Sequence, residues 1–84
     1  GLDVVAQLRL EGIPCMVVAA QTLGRLAAAV YQVEGPGRPR ALALATRLID
    51  VAVATMDRTA WAAGKGQLRS LRDEIYAAGD QSDQ

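Results

Sequence analysis

The chain has no histidine and no phenylalanine, and its 84 residues include one cysteine, one tryptophan and two tyrosines. Each scarcity excludes something. A lone thiol, Cys15, cannot close an intramolecular disulfide, so a stapled secreted mini-protein is ruled out and the cytoplasm becomes the expected compartment. An ordinary structural zinc site takes about four ligands drawn mainly from cysteine and histidine, and this chain cannot supply them. A histidine-based nucleophile dyad is excluded for the same reason. Nine basic and nine acidic side chains leave a formal charge of zero, so no global field draws the chain to DNA or to anionic lipid. Long apolar runs are also missing. The longest, Cys15 to Ala20 and Leu26 to Tyr31, are separated by Gln21 and Arg25, whereas a membrane-spanning helix needs about 20 apolar residues. The opening Gly1-Leu2-Asp3-Val4 has no basic region ahead of an apolar run, so a secretory signal is not expected.

What the sequence has in quantity is alanine, 16 residues of it, within a hydrophobic fraction of 51%. A domain of this length buries only roughly 60% of the surface that its unfolded chain exposes. Alanine adds little bulk to so thin a core. The composition therefore suits closely packed helices that gain from a second subunit.

Glycine and proline punctuate the chain at Gly12-Ile13-Pro14, Glu34-Gly35-Pro36-Gly37, Gly64-Lys65-Gly66 and Gly79. Between them, Met16, Ala19, Leu23, Leu26, Val30 and Val33 recur at spacings of three and four, which predicts an amphipathic helix over 14–33. Leu42, Ala45, Ile49, Ala52, Met56 and Ala60 predict a second over 39–63, with Gly64 as its C-cap. Leu44, Leu48 and Val51 widen its apolar arc beyond what one antiparallel helix covers. Leu68, Leu71, Ile75 and Ala78 predict a shorter helix over 67–78, followed by a disordered tail at 80–84. Residues 1–12 read two ways. Val4, Ala6, Leu8 and Leu10 alternate as a strand does, and Leu2, Val5, Ala6 and Arg9 equally form a helical row. The expected fold is mainly α: a single domain over 1–79 built as an antiparallel helical hairpin plus a third helix, with an N-terminal extended segment used in dimerisation. A rival reading makes Met16 to Ala19 a buried strand of an α/β fold, but the rest of the chain offers helical periods, not further strands.

Leu8-Arg9-Leu10-Glu11-Gly12-Ile13-Pro14, then Ala20-Gln21-Thr22-Leu23, Glu34-Gly35 and Met56-Asp57-Arg58, follow an order that resembles a group of short bacterial proteins known only as a domain of unknown function. The likeness spans roughly 8–58. It implies a two-helix core and no known activity, so it assigns no functional residue.

Chemistry-bearing residues are sparse. Gly64-Lys65-Gly66 lacks the glycine, the hydroxyl and the preceding strand of a phosphate-binding loop and reads as a corner between helices. Cys15 falls in the first turn of its helix, where amide dipoles favour a thiolate, but no base accompanies it and apolar neighbours favour a buried, inert thiol. Asp50 and Asp57 stand seven apart, roughly 10 Å by helical rise, too far to share a proton or a metal. Arg47 with Asp50, and Arg69 with Asp73, are expected surface pairs; Glu34 or a neighbouring subunit is expected to balance Arg38 and Arg40 at a helix start, where the macrodipole disfavours cations. Neither an enzyme nor a bound cofactor is expected.

The function expected is a small homodimeric protein–protein interaction module, with Val4, Ala6, Leu8, Leu10, Leu44, Leu48, Val51 and Met56 at the interface. The alternative is a nucleic-acid-binding regulator that uses Arg38, Arg40, Lys65, Arg69 and Arg72. A small ligand at the corner near Trp61 stays open.

Overall fold

The computed structural model describes residues 13–82, which form three α-helices joined by two short links: α1 (Ile13–Tyr31), α2 (Arg38–Asp57) and α3 (Ala62–Ser82). No strand occurs among the described residues. The mainly helical expectation and the α1–α2 hairpin hold. The N-terminal segment carrying Val4, Ala6, Leu8 and Leu10 lies outside the described residues.

The central element is α2, which packs along both of its neighbours, while α1 and α3 meet one another far less. Its register against α3 is fixed by two side-chain bonds, Arg69 to Asp57 at 3.0 Å and Tyr76 to Asp50 at 2.6 Å. Moving forward by seven on α3 moves back by seven on α2, so the pair is antiparallel. The core is built from the predicted inner stripe of α2, Ala45, Ile49, Ala52 and Met56, together with Val53 of the same helix, Ala20 and Ala27 of α1, and Leu68 and Ile75 of α3. Four of these nine are alanines, so the helices must approach closely to exclude water. Gly24 serves that approach: a Cβ there would come within 2.6 Å of a Leu68 methyl.

Both links are closed by identifiable bonds. The last turn of α1 tightens through Gln32 N–H to the Ala29 carbonyl and Val33 N–H to the Val30 carbonyl. The Arg38 guanidinium then donates to the Tyr31 and Val33 carbonyls, both at 3.1 Å, which the ended helix leaves without partners. Gly35 turns the chain at φ 87°, a left-handed conformation open to glycine at little cost. Helix α2 starts at Arg38 with Pro39 in its first turn, where the missing N–H is no loss.

The second link departs from the sequence expectation. The predicted break at Gly64 to Gly66 falls instead at Arg58 to Trp61, and both glycines lie inside α3. Thr59 makes the break. Buried at 4% exposure, it donates its hydroxyl to the Met56 carbonyl at 2.7 Å and accepts the Trp61 N–H at 3.2 Å, ending one helix and starting the next. Gly64 is there for space, because a Cβ would lie 2.5 Å from the Trp61 ring and 2.8 Å from the Met56 methyl. At its far end α3 runs on to Ser82, past the predicted end at 78 and into the expected tail.

Candidate interaction surface

The helical wheel of α2 carries two apolar stripes. The inner one, Leu42, Ala45, Ile49, Ala52 and Met56, is buried against α1 and α3. The second, Leu44, Leu48, Val51 and Thr55, repeats at intervals of four, three and four and is left open: Leu44 is 49% exposed and Val51 52%. Leu48 is half-buried at its border with the core. On α1, the flank carrying Gly24 and Ala28 turns to the groove shared with α3. Leu26, 48% exposed, lies on the opposite flank, as the outer stripe of α2 lies opposite Asp50 and Asp57, so both are on the side of the hairpin away from α3. The outcome is an apolar face made by two helices, with no third element of the described chain over it.

The expected interface residues therefore divide. Leu44, Leu48 and Val51 share this face. Met56 does not: at 1% exposure it sits inside the core, seven residues on from Ile49 and so in phase with the inner stripe. It is not accessible to a second subunit.

Arginines border the outer stripe. Arg40, Arg47 and Arg58 are all exposed, and none forms an ion pair or a side-chain hydrogen bond with a described residue. Neither α1 nor the outer side of α2 answers them with a carboxylate. Helix α1 contains no acid, and the two acids of α2 are engaged on its other flank by Tyr76 and Arg69. The Tyr76 phenol is pushed above its ordinary value, first by its hydrogen bond to Asp50, then by desolvation and the Asp50 charge, with Arg72 opposing.

The basic residues expected to form a nucleic-acid patch are only partly brought together: Lys65, Arg69 and Arg72 share one side of α3, apart from Arg38 and Arg40. Arg38 is turned onto backbone carbonyls, and Arg69 is spent on Asp57. Lys65 lies in the first turns of α3, at the opposite end of the antiparallel α2–α3 pair from Arg38 and Arg40. The local pairs expected from spacing give way to these cross-helix bonds: Asp50 takes Tyr76 in place of Arg47, Arg69 takes Asp57 in place of Asp73, and Arg38 takes carbonyls in place of Glu34.

Two open hollows flank α3. One of about 270 Å³ lies between α1 and α3 over Met56, Leu68 and Leu71, close to the corner at Trp61, although Trp61 is not part of its wall. The other, about 540 Å³, lies between the start of α2 and the end of α3, beside Tyr76. Cys15 is exposed. No group of three or more acids, cysteines or histidines that could hold a metal ion occurs among the described residues, and none of their helices is long and apolar enough to cross a membrane. The chain matches no family model, and no curated protein or solved structure matches it significantly.

Proposed function

We propose that the protein is a small helical interaction module whose working surface is the outer face of the α1–α2 hairpin. One observation carries the reading. Among the described residues only one of the two apolar stripes of α2 is buried, so Leu44 and Val51, with Leu48 at their border and Leu26 on the same side of the hairpin, are left as an exposed apolar face. Such faces on small soluble domains mark places where another macromolecule docks. The thin alanine-rich core adds to the case, because a docked helix buries surface that the three described helices leave open. Homodimerisation, expected from the sequence, is the form of this proposal in which a second copy supplies the cover. The nucleic-acid alternative has less support, since Arg38 and Arg69 are engaged within the chain.

Substituting Val51→Asp tests the module. Val51 is half exposed, so the charge is expected to leave the fold intact while abolishing any self-association or helix binding. Light scattering across a dilution series, with circular dichroism on the same samples, reads both. A wild-type chain that stays monomeric and binds no helical peptide would refute the proposal.

A further inference from the structure

We infer that the cover for this face is an acidic amphipathic helix of another protein, seated along Leu44, Leu48, Val51 and Leu26 with its carboxylates on Arg40, Arg47 and Arg58. This rests on the interaction-module reading and adds the chemistry of the occupant.

The stripe itself selects a helix. Intervals of four, three and four are those of a coiled-coil seam, which accepts the side chains of another helix repeating in the same way. Thr55 extends the seam, because its hydroxyl is turned back onto the Val51 carbonyl at 2.7 Å, which satisfies its polar group within the helix.

The border selects the charge. Arg40 and Arg47 are seven residues apart, and Arg47 and Arg58 eleven, two intervals that each return an α-helix to nearly the same direction. Arg40 and Arg47 line one side of the seam, and Arg58, three residues beyond Thr55, closes its C-terminal end on the same side. Unpaired among the described residues, they offer planar forks suited to carboxylates, and no acid of α1 or α2 neutralises them locally.

A second copy fits this face poorly. Laid antiparallel about Leu48 and Val51, another α2 places its Arg58 beside Arg40 and brings the two Arg47 side chains together near the axis. Laid parallel, the two ridges fall on opposite sides of the pair and meet no carboxylate. The first arrangement sets like charges against each other at the rim of the contact, and the second leaves them unanswered. An anionic lipid surface answers the charge but offers nothing that interlocks with a four-three-four seam.

The test uses two designed peptides of about three heptads, each with leucine at the seam positions, one flanked by glutamate and the other by lysine, at concentrations where both are monomeric. Binding to the full chain is read by fluorescence anisotropy at low and at physiological salt. In parallel come light scattering of the chain alone and its co-sedimentation with phosphatidylserine vesicles. The glutamate-flanked peptide is expected to bind at least about tenfold tighter, an advantage that salt reduces. Replacing Arg40, Arg47 and Arg58 together with glutamate should reverse the preference. Val51→Asp should abolish binding, with Leu44→Gln as the second variant should Val51→Asp unfold the chain. Equal binding of the two peptides, or a preference that the arginine variant leaves unchanged, overturns the acidic occupant and leaves the module standing. So does a dimer dissociated by Val51→Asp that neither peptide enters. Vesicle binding without peptide binding, or no association of any kind, overturns both.

Discussion

Three glycines in one helix allow the packing at the α2–α3 corner to be separated from helix propensity. Gly66 lies in the second turn of α3 with nothing within 4 Å of where a Cβ would stand. Replacing it with alanine should therefore stabilise the chain by about 0.8–1.0 kcal/mol, the propensity difference alone. Gly64→Ala brings a smaller gain, at most about 0.5–1 kcal/mol, because the site is in the first turn. Against that, its Cβ would stand 2.5 and 2.9 Å from two Trp61 ring carbons and 2.8 Å from the Met56 methyl. The Trp61 ring is 40% exposed and can swing outward, but Met56 is held at 1% exposure among core atoms. Overfilling a packed site costs about 1–3 kcal/mol, so the net effect of Gly64→Ala should be a loss of roughly 0.5–2 kcal/mol.

Denaturant unfolding followed by far-UV circular dichroism measures both variants against the wild type, and the comparison is secure where the slope is unchanged. Trp61→Ala in the Gly64→Ala background then divides the cost. If the ring carries most of it, the double variant should lose far less than the two single losses added together. A Gly64→Ala chain as stable as Gly66→Ala would refute the reasoning, because it would mean that the ring and the Met56 methyl do not crowd this position.

Thr59→Val keeps the shape of the side chain but removes the hydroxyl that accepts the Trp61 N–H and bonds the Met56 carbonyl; it should cost about 1–2 kcal/mol, read as a lower denaturant midpoint. Arg38→Gln should cost about 0.5–1.5 kcal/mol because it uncaps the Tyr31 and Val33 carbonyls, whereas Arg40→Gln, two residues on, should stay within about 0.5 kcal/mol of wild type in the same experiment. The bond from Tyr76 to Asp50 sets a pH dependence: a phenol held above its ordinary 10.0 in the folded chain stabilises it below that value and loses the contribution as pH rises through the folded pKa. In a Tyr31→Phe background, where Tyr76 is the one tyrosine left, Asp50→Asn should lower the midpoint of tyrosinate absorbance, and an unmoved midpoint would show that the bond is not made in solution.

The sequence reveals helices more readily than the places where they end, and Gly64 shows why. Spacings of three and four among Leu42, Ala45, Ile49, Ala52 and Met56 reflect a local period, which is legible residue by residue. The glycine read as a cap is instead a gap in the surface of α3, demanded by Met56 and by the Trp61 ring. That demand is set by tertiary placement, whereas the residue that ends α2, Thr59, looks from sequence like one more turn of its stripe. The same distinction governs the charges. Arg47 with Asp50 and Arg69 with Asp73 satisfy local spacing, yet the bonds formed cross between helices, and both obey one antiparallel register. A register of that kind follows only once the corner between α2 and α3 is placed correctly, so an error at Gly64 propagates to every pairing across the interface. For the exposed face the necessary information was local throughout. Leu44, Leu48 and Val51 exceed what one partner helix can cover, Met56 is in phase with the buried stripe, and Arg40, Arg47 and Arg58 return at seven and eleven residues. What hid the ridge was that Arg40 can be grouped by sequence proximity with Arg38, whose guanidinium the fold directs onto the end of α1. Adjacent arginines on a helix point some 100° apart, or 200° at a separation of two, so proximity in sequence is a poor guide to a shared surface and periodicity a good one. The charges that can act together on a partner are those in phase, and on α2 they border the apolar stripe that the described helices leave uncovered.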